Sequence, residues 1–148
     1  MEEVIGCIIT VISGTVVYII SQWYDEYVRR PLRDYYEIRA KIKYYLLLHA
    51  NMYSNPLQLA DENTEAILKR YSEASDDIRK IGAELAGIIS SLPKTIGKKI
   101  PKKQELNDVV RDLIGISNSF YLPYGIDDRD TDRTIDKWKK EIERILNI

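Results

Sequence analysis

The chain has 148 residues, a formal net charge of −1 at pH 7, one cysteine and one histidine. Near-neutral charge gives no overall attraction to nucleic acid, a single cysteine excludes an internal disulfide framework or a cysteine-rich zinc site, and a single histidine leaves little for acid–base or metal chemistry. Eleven tyrosines against one phenylalanine suit places that are apolar on one side and wet on the other, such as a membrane boundary or a helix–helix interface.

The first element is the run 4–24, uncharged and almost wholly apolar. As a helix, residues 4–23 cover roughly 30 Å, the hydrocarbon thickness of a bilayer. A cleaved signal needs a basic start and small residues after its apolar core; Met1-Glu2-Glu3 and Gln22-Trp23-Tyr24 supply neither. In Val4-Ile5-Gly6-Cys7 the apolar core follows the cysteine, opposite to a lipoprotein box. Two rivals stay open. One is a β-hairpin about Ser13-Gly14, which would need covering layers and partner strands that the rest of the chain does not offer. The other is a buried core helix, against which stands the lack of a polar stripe over about five turns. A membrane span is the preferred reading.

Glu2 and Glu3 precede the run, whereas Arg29, Arg30, Arg33, Arg39, Lys41 and Lys43 follow it. Basic flanks stay on the cytoplasmic side, so the N-terminus is expected outside and the remainder inside. Trp23, Tyr24 and Tyr27, with Tyr18, form the expected aromatic belt, and Arg29, Arg30 and Arg33 the expected contacts to lipid head groups. Gly6, Thr10 and Gly14 recur every four residues, a face on which a second span packs closely. This divides the chain into an anchor and interfacial belt, 1–27, and a cytoplasmic helical domain, 28–148.

Pro31 suits the first turn of a new helix after an extended or kinked Arg29-Arg30. Its apolar stripe is Leu32, Tyr35, Ile38, Ile42, Tyr45, His49 and Met52, with Arg33, Glu37, Lys41 and Lys43 opposite, and Ser54-Asn55-Pro56 ends it. The helix could run on almost directly from the span. The next helix carries Ile67, Tyr71, Ala74, Ile78, Ile81, Leu85, Ile88 and Leu92 at steps of four and three, the seam of a packed helix. Leu68, Ala86 and Ile89 widen that stripe; Gly82, Ala83, Ala86 and Gly87 make a slim waist for a close crossing; Asn63 or Thr64 caps the start and Pro93 stops the end.

A basic connector, 93–103, follows with Lys94, Lys98, Lys99, Lys102 and Lys103. These are candidate contacts to anions or the membrane surface; no aromatic interleaves them, so stacking on single-stranded nucleic acid is not expected. A further helix shows Leu106, Val109, Val110, Leu113, Ile116 or Ser117, and Phe120. After Leu122-Pro123-Tyr124-Gly125 an acidic loop leads to a last helix with Ile135, Trp138, Ile142, Ile145 and Leu146, capped by Asp130 or Thr131. Read as a calcium loop from Asp128, that segment places Arg133 where glycine belongs and Lys139 where glutamate belongs, so it fails. The expected fold is all-α: one N-terminal transmembrane helix and an up-and-down bundle of about four helices.

Chemistry is thin. His49 lies on an apolar stripe, where a partly buried, hydrogen-bonded histidine is the ordinary case, and no nucleophile triad, phosphate loop, cofactor site or metal site can be composed.

The string Gly14-Thr15-Val16-Val17-Tyr18-Ile19-Ile20, Arg30-Pro31-Leu32, Tyr35, Ile42, Tyr45, Ala50-Asn51-Met52-Tyr53 and Asn55-Pro56 resembles a family of small bacterial membrane proteins. The likeness runs on through Ile100-Pro101-Lys102-Lys103 and Leu113-Ile114-Gly115-Ile116-Ser117-Asn118 and covers most of the chain. That family pairs one span with a helical cytosolic region and is functionally uncharacterised, so the resemblance implies a bacterial inner-membrane location and no activity. The expected role is a non-enzymatic interaction module on the cytoplasmic face, with the bilayer and either a second copy or another protein as partners and no nucleic acid. The alternative is a membrane-acting effector (a small toxin, phage-exclusion or defence protein) whose helical domain gathers the spans. A weaker reading has the lysine connector gripping a phosphorylated ligand.

Overall fold

The structure, a computed structural model, describes residues 1–58, 65–93, 100–122 and 128–148, excepting the side chains of residues 2, 58, 122 and 128–132. Helix α1 (Glu2–Tyr24) passes through a π turn (Asp25–Arg29) into α2 (Arg30–Leu48), so that Glu3–Leu48 is one unbroken helix. The hairpin alternative for 4–24 therefore falls. In α1 the hydroxyls of Thr10, Ser13 and Thr15 each donate to the carbonyl four residues back, which suits a helix that water does not reach.

An extended Arg29-Arg30 is also corrected, since both residues are helical, and α2 runs on directly from α1, as the sequence allowed. Proline in a helix interior lacks an N–H and crowds the carbonyl four residues back, here that of Tyr27. The turn just before Pro31 is widened instead of broken: the Arg30 N–H donates to the Asp25 carbonyl, five residues back.

Helix α2 ends at His49, and a single turn, α3 (Ala50–Tyr53), reaches the expected stop at Ser54-Asn55-Pro56. The remaining helices are α4 (Glu65–Ser91), α5 (Lys103–Asn118) and α6 (Asp128–Leu146). Asn63 and Thr64, expected to cap α4, lie outside the described residues. Helix α6 begins before its expected caps, so Asp130 and Thr131 fall within its first turn. An aspartate there still favours the start through the helix dipole, without closing it as a cap.

Neighbouring helices run in opposite directions. His49 and Lys41 of α2 pair with Asp77 and Glu84 of α4, in inverted order. Ser75 donates to the Ser117 carbonyl and Arg79 to Asn118, which lays the start of α4 along the end of α5. The Arg39 guanidinium meets the Asn147 carbonyl, so α6 returns beside α2. The result is the all-α, up-and-down arrangement of four long helices, with α1 projecting from one end as an extension of α2.

The core is Tyr35, Ile38, Ile42 and Leu46 of α2, Ala74, Ile78, Ile81, Leu85 and Ile89 of α4, Leu106, Val109, Leu113 and Ile116 of α5, and Ile135, Ile142, Ile145 and Leu146 of α6. Each fully buried Leu or Ile contributes about 1.5–3 kcal/mol of transfer free energy. Several expected seam positions differ. Ile67 is 40% exposed, Tyr71 and Ile88 are only half-buried, and Ala86 is exposed, whereas Ile89 and Leu92 are buried. The helical period of 3.6 turns the buried stripe away from a strict 3.5 repeat. Of the expected waist, Ala83, Ala86 and Gly87 face outward, and only Gly82 meets α5.

At the end away from α1, Leu57–Gln58 (β1) and Tyr121–Leu122 (β2) pair in parallel, and the Leu57 N–H donates to the Phe120 carbonyl at 2.9 Å. No strand is expected from the sequence, and two residues are too few for an alternating pattern. Phe120 packs edge-on to Tyr53 and Tyr71, and the Tyr53 hydroxyl donates to the Leu46 carbonyl.

Two glycines give opposite expectations. A Cβ at Gly115 would lie 2.9–3.0 Å from the Trp138 ring, whereas one at Gly87 meets nothing within 4 Å. Gly87→Ala should stabilise the chain by about 0.5–1 kcal/mol through helix propensity. Gly115→Ala should destabilise it by about 1 kcal/mol, because overpacking exceeds that gain. Thermal unfolding followed by circular dichroism in detergent checks both, and equal shifts of the same sign would contradict the α5–α6 packing.

Candidate membrane anchor and association surface

Helix α1 has no buried residue among those described, and it is long and apolar enough to cross a membrane. The buried-core-helix alternative thus has no support among the described residues, none of which covers it. Gly6, Thr10 and Gly14 are exposed, and a Cβ at either glycine would meet nothing within 4 Å. Trp23, Tyr24 and Tyr27 are exposed at the base of α1, with the Trp23 and Tyr27 rings 5.6 Å apart.

The juxtaposed arginines are less free than their count implies. Arg29 pairs with Asp25 at 3.0 Å, Arg30 with Glu26 at 2.9 Å, and Arg33 approaches Asp34 at 3.9 Å. Counting only bases overlooks these three acids. Exposed pairs one helical turn apart contribute only about 0.3–0.5 kcal/mol, so an anionic head group competes with them readily. Lys102 and Lys103 are exposed at the start of α5, whereas Lys94, Lys98 and Lys99 lie outside the described residues.

Helix α2 is apolar on two faces. Tyr35, Ile38, Ile42 and Leu46 enter the core, while Tyr36, Ala40, Tyr44 and Leu47 form a second stripe toward solvent, with Tyr44 58% and Leu47 66% exposed. Sequence reading missed this stripe because the core stripe already explained the periodicity. Its signal was present in the steps of four, four and three from Tyr36 to Leu47. Beside it, a groove of about 480 Å³ is lined by Leu48, Met52, Leu57, Ile67 and Tyr71, with Asn51 and Arg70 at its rim. Ile67, placed by its spacing in the core seam, instead borders this exposed apolar region.

The titratable groups within the bundle include His49 and Asp112. His49 is buried, stacks on Tyr45 and hydrogen-bonds Asp77 at 3.1 Å, the structural role expected of it. Asp112 of α5 is buried as well. Burial pushes its carboxyl above the usual range, with Arg111 at 3.5 Å opposing the rise. The side chains of Asp128, Asp130 and Asp132 are not among those described, and the described residues include no group of three or more His, Cys, Asp or Glu placed to hold a metal.

No protein-family model, curated protein or solved structure matches this chain.

A raised folded-state pKa means that the folded chain holds the Asp112 proton to higher pH than the unfolded chain. Stability is therefore lost as pH rises from the unfolded value, about 3.9, through the folded one. Asp112→Asn should melt higher than the wild type at pH 7, and the difference should shrink as pH falls toward about 4. Coincident melting curves across that range would contradict the burial of a charged carboxylate.

Proposed function

We propose that the protein is a membrane-anchored, non-enzymatic association module. Helix α1 crosses the bilayer with its N-terminus outside, and the bundle stands on the cytoplasmic face. The observation that carries this reading is an apolar helix left uncovered by the described residues of its own chain yet continuous with a core helix of the bundle. The excess of Arg and Lys after α1 supports the orientation. The bacterial inner membrane as setting is supported only by the resemblance described above.

A second copy is the partner that suits the solvent face of α2. Anchored chains meet in parallel, and a parallel pair can join through Tyr36, Ala40, Tyr44 and Leu47. The Gly6, Thr10 and Gly14 face of α1 supports close packing of the same two helices inside the bilayer. The unbroken path from α1 to α2 also favours a second reading, in which association of the bundles gathers the α1 helices until they perturb the membrane.

With Cys7→Ser and Glu2→Cys combined, an impermeant thiol reagent should label position 2 from outside intact cells, and the chain should resist carbonate extraction. Recovery as a well-behaved species without detergent would remove the anchor and everything proposed from it. Crosslinking in native membranes should yield a dimer that Tyr44→Asp with Leu47→Asp reduces at least about fivefold, the scale of losing buried interface anchors. Monomer alone, with no protein enriched on pulldown, would contradict the association role. Expression that leaves growth and membrane potential unchanged would dispose of the effector reading.

A further inference from the structure

The end of the bundle nearest α1 contains a cavity of about 510 Å³ between the first turns of α2, the start of α5 and the end of α6. Its polar lining comes from Tyr35, Arg39, Lys102, Glu105, Arg144 and Asn147; Ile100, Ile145 and Leu146 supply apolar walls. Three features set it apart from an ordinary surface hollow.

Tyr35 is only 2% exposed, and its hydroxyl makes no hydrogen bond among the described residues. A buried hydroxyl without a partner is costly, so native structures rarely leave one. Burial also raises its pKa, which keeps it a neutral donor, with Arg39 near enough to oppose the rise.

Arg39 has no carboxylate partner among the described residues. One guanidinium nitrogen donates to the Asn147 carbonyl, and the other N–H groups have no protein acceptor there. The end of α6 presents that carbonyl. Asn147 takes a left-handed backbone (φ 53°), and the Ile148 N–H closes the helix onto the Glu143 carbonyl. Asparagine tolerates this conformation better than most residues.

The start of α5 supplies the third feature. Lys102 and Glu105 both line the cavity there, and Glu105 accepts the Lys102 N–H at 2.7 Å, at the positive dipole end of the helix. The charges do not cancel. Arg144 is held by both oxygens of Glu141, and Glu105 is the one acid in the lining, against Arg39 and Lys102.

We infer that this cavity binds the phosphate group of a phosphorylated small molecule, with Arg39, the Tyr35 hydroxyl and the Lys102 ammonium donating to its oxygens and Ile100 and Leu146 packing on its organic part. A tetrahedral anion offers several acceptors to donors converging from α2 and the start of α5, and the volume exceeds that of phosphate alone. Under the anchored reading a lipid head group is a rival source of the same phosphate, but reach disfavours it. Arg39 lies fifteen residues beyond Tyr24, about 22 Å of helix, whereas head groups extend only about 5–8 Å past the hydrocarbon. Binding itself does not depend on α1 entering a membrane, so this inference and the anchor fail separately.

The test uses the full chain in phosphatidylcholine nanodiscs, titrated calorimetrically with inorganic phosphate and with phenyl phosphate. Both should bind saturably, phenyl phosphate more tightly. Arg39→Gln should weaken binding at least about tenfold, the scale of a charge-assisted hydrogen bond. Tyr35→Phe should weaken it severalfold while leaving the melting temperature of the unliganded chain unchanged or raised, an outcome that a purely structural tyrosine would not give. It carries the test should Arg39→Gln fail to fold. Nanodiscs containing phosphatidylglycerol distinguish the sources: unchanged phosphate binding points to a soluble ligand, and competitive loss of phosphate binding points to a head group in the same site. Absence of binding by both probes, or wild-type affinity in both variants, overturns the proposal.

Discussion

The structure depends on one backbone constraint: a helix must pass Pro31 without breaking. Proline removes a hydrogen bond and crowds the preceding turn, at a cost of roughly 3 kcal/mol in an ordinary helix interior. Here the widened turn at Asp25–Arg29 takes the strain, with the Arg30 N–H reaching back to Asp25. The consequence is mechanical. A true break would leave the apolar helix tethered by a flexible joint, free of the bundle's orientation. An unbroken helix ties the direction of α1 to the packing of α2, so that any contact made by the outer face of α2 also sets how two α1 helices approach each other.

The bundle itself is held by apolar side chains from all four long helices, and its polar features lie at its ends and edges. At the far end, Tyr53, Tyr71 and Phe120 pack together, and a two-residue strand pair ties the segment after α3 to the end of α5. At the near end, the closing turn of α6 delivers a carbonyl to Arg39. Stability and candidate function therefore occupy different places: the centre is mostly apolar, while the near end keeps a buried hydroxyl and a guanidinium without acidic partners among the described residues. His49 and Asp112 are exceptions, titratable groups inside the packed region that pair with Asp77 and Arg111.

The period of apolar residues made most of the helices legible. Tyr35, Ile38 and Ile42, then Ala74, Ile78, Ile81 and Leu85, then Leu106, Val109 and Leu113 recur as they must to face one core, and they do. Errors gathered at helix ends and at second faces. Ile67 continues the spacing of α4 but borders an exposed groove instead of the core. Tyr44 and Leu47 were invisible as a surface because one periodic stripe already accounted for α2. Leu57–Gln58 pairs with Tyr121–Leu122 through backbone groups, which leave no pattern in side chains. Asp25, Glu26 and Asp34 stood in the sequence throughout, but only geometry showed that the first two each neutralise an arginine one turn away.

By itself the sequence determined the helical class, the uncharged length of the first helix, the stop at Ser54-Asn55-Pro56 and the poverty of catalytic groups, because these follow from composition and local spacing. Only the tertiary structure decided that α1 and α2 are one rod, that α2 shows a second apolar face outward, and that Tyr35, Arg39, Lys102 and Asn147 line one cavity. The physical reason is that residues 35, 102 and 147 are far apart in the chain. What brings them together is burial of faces shared among helices, and no local pattern states which face meets which.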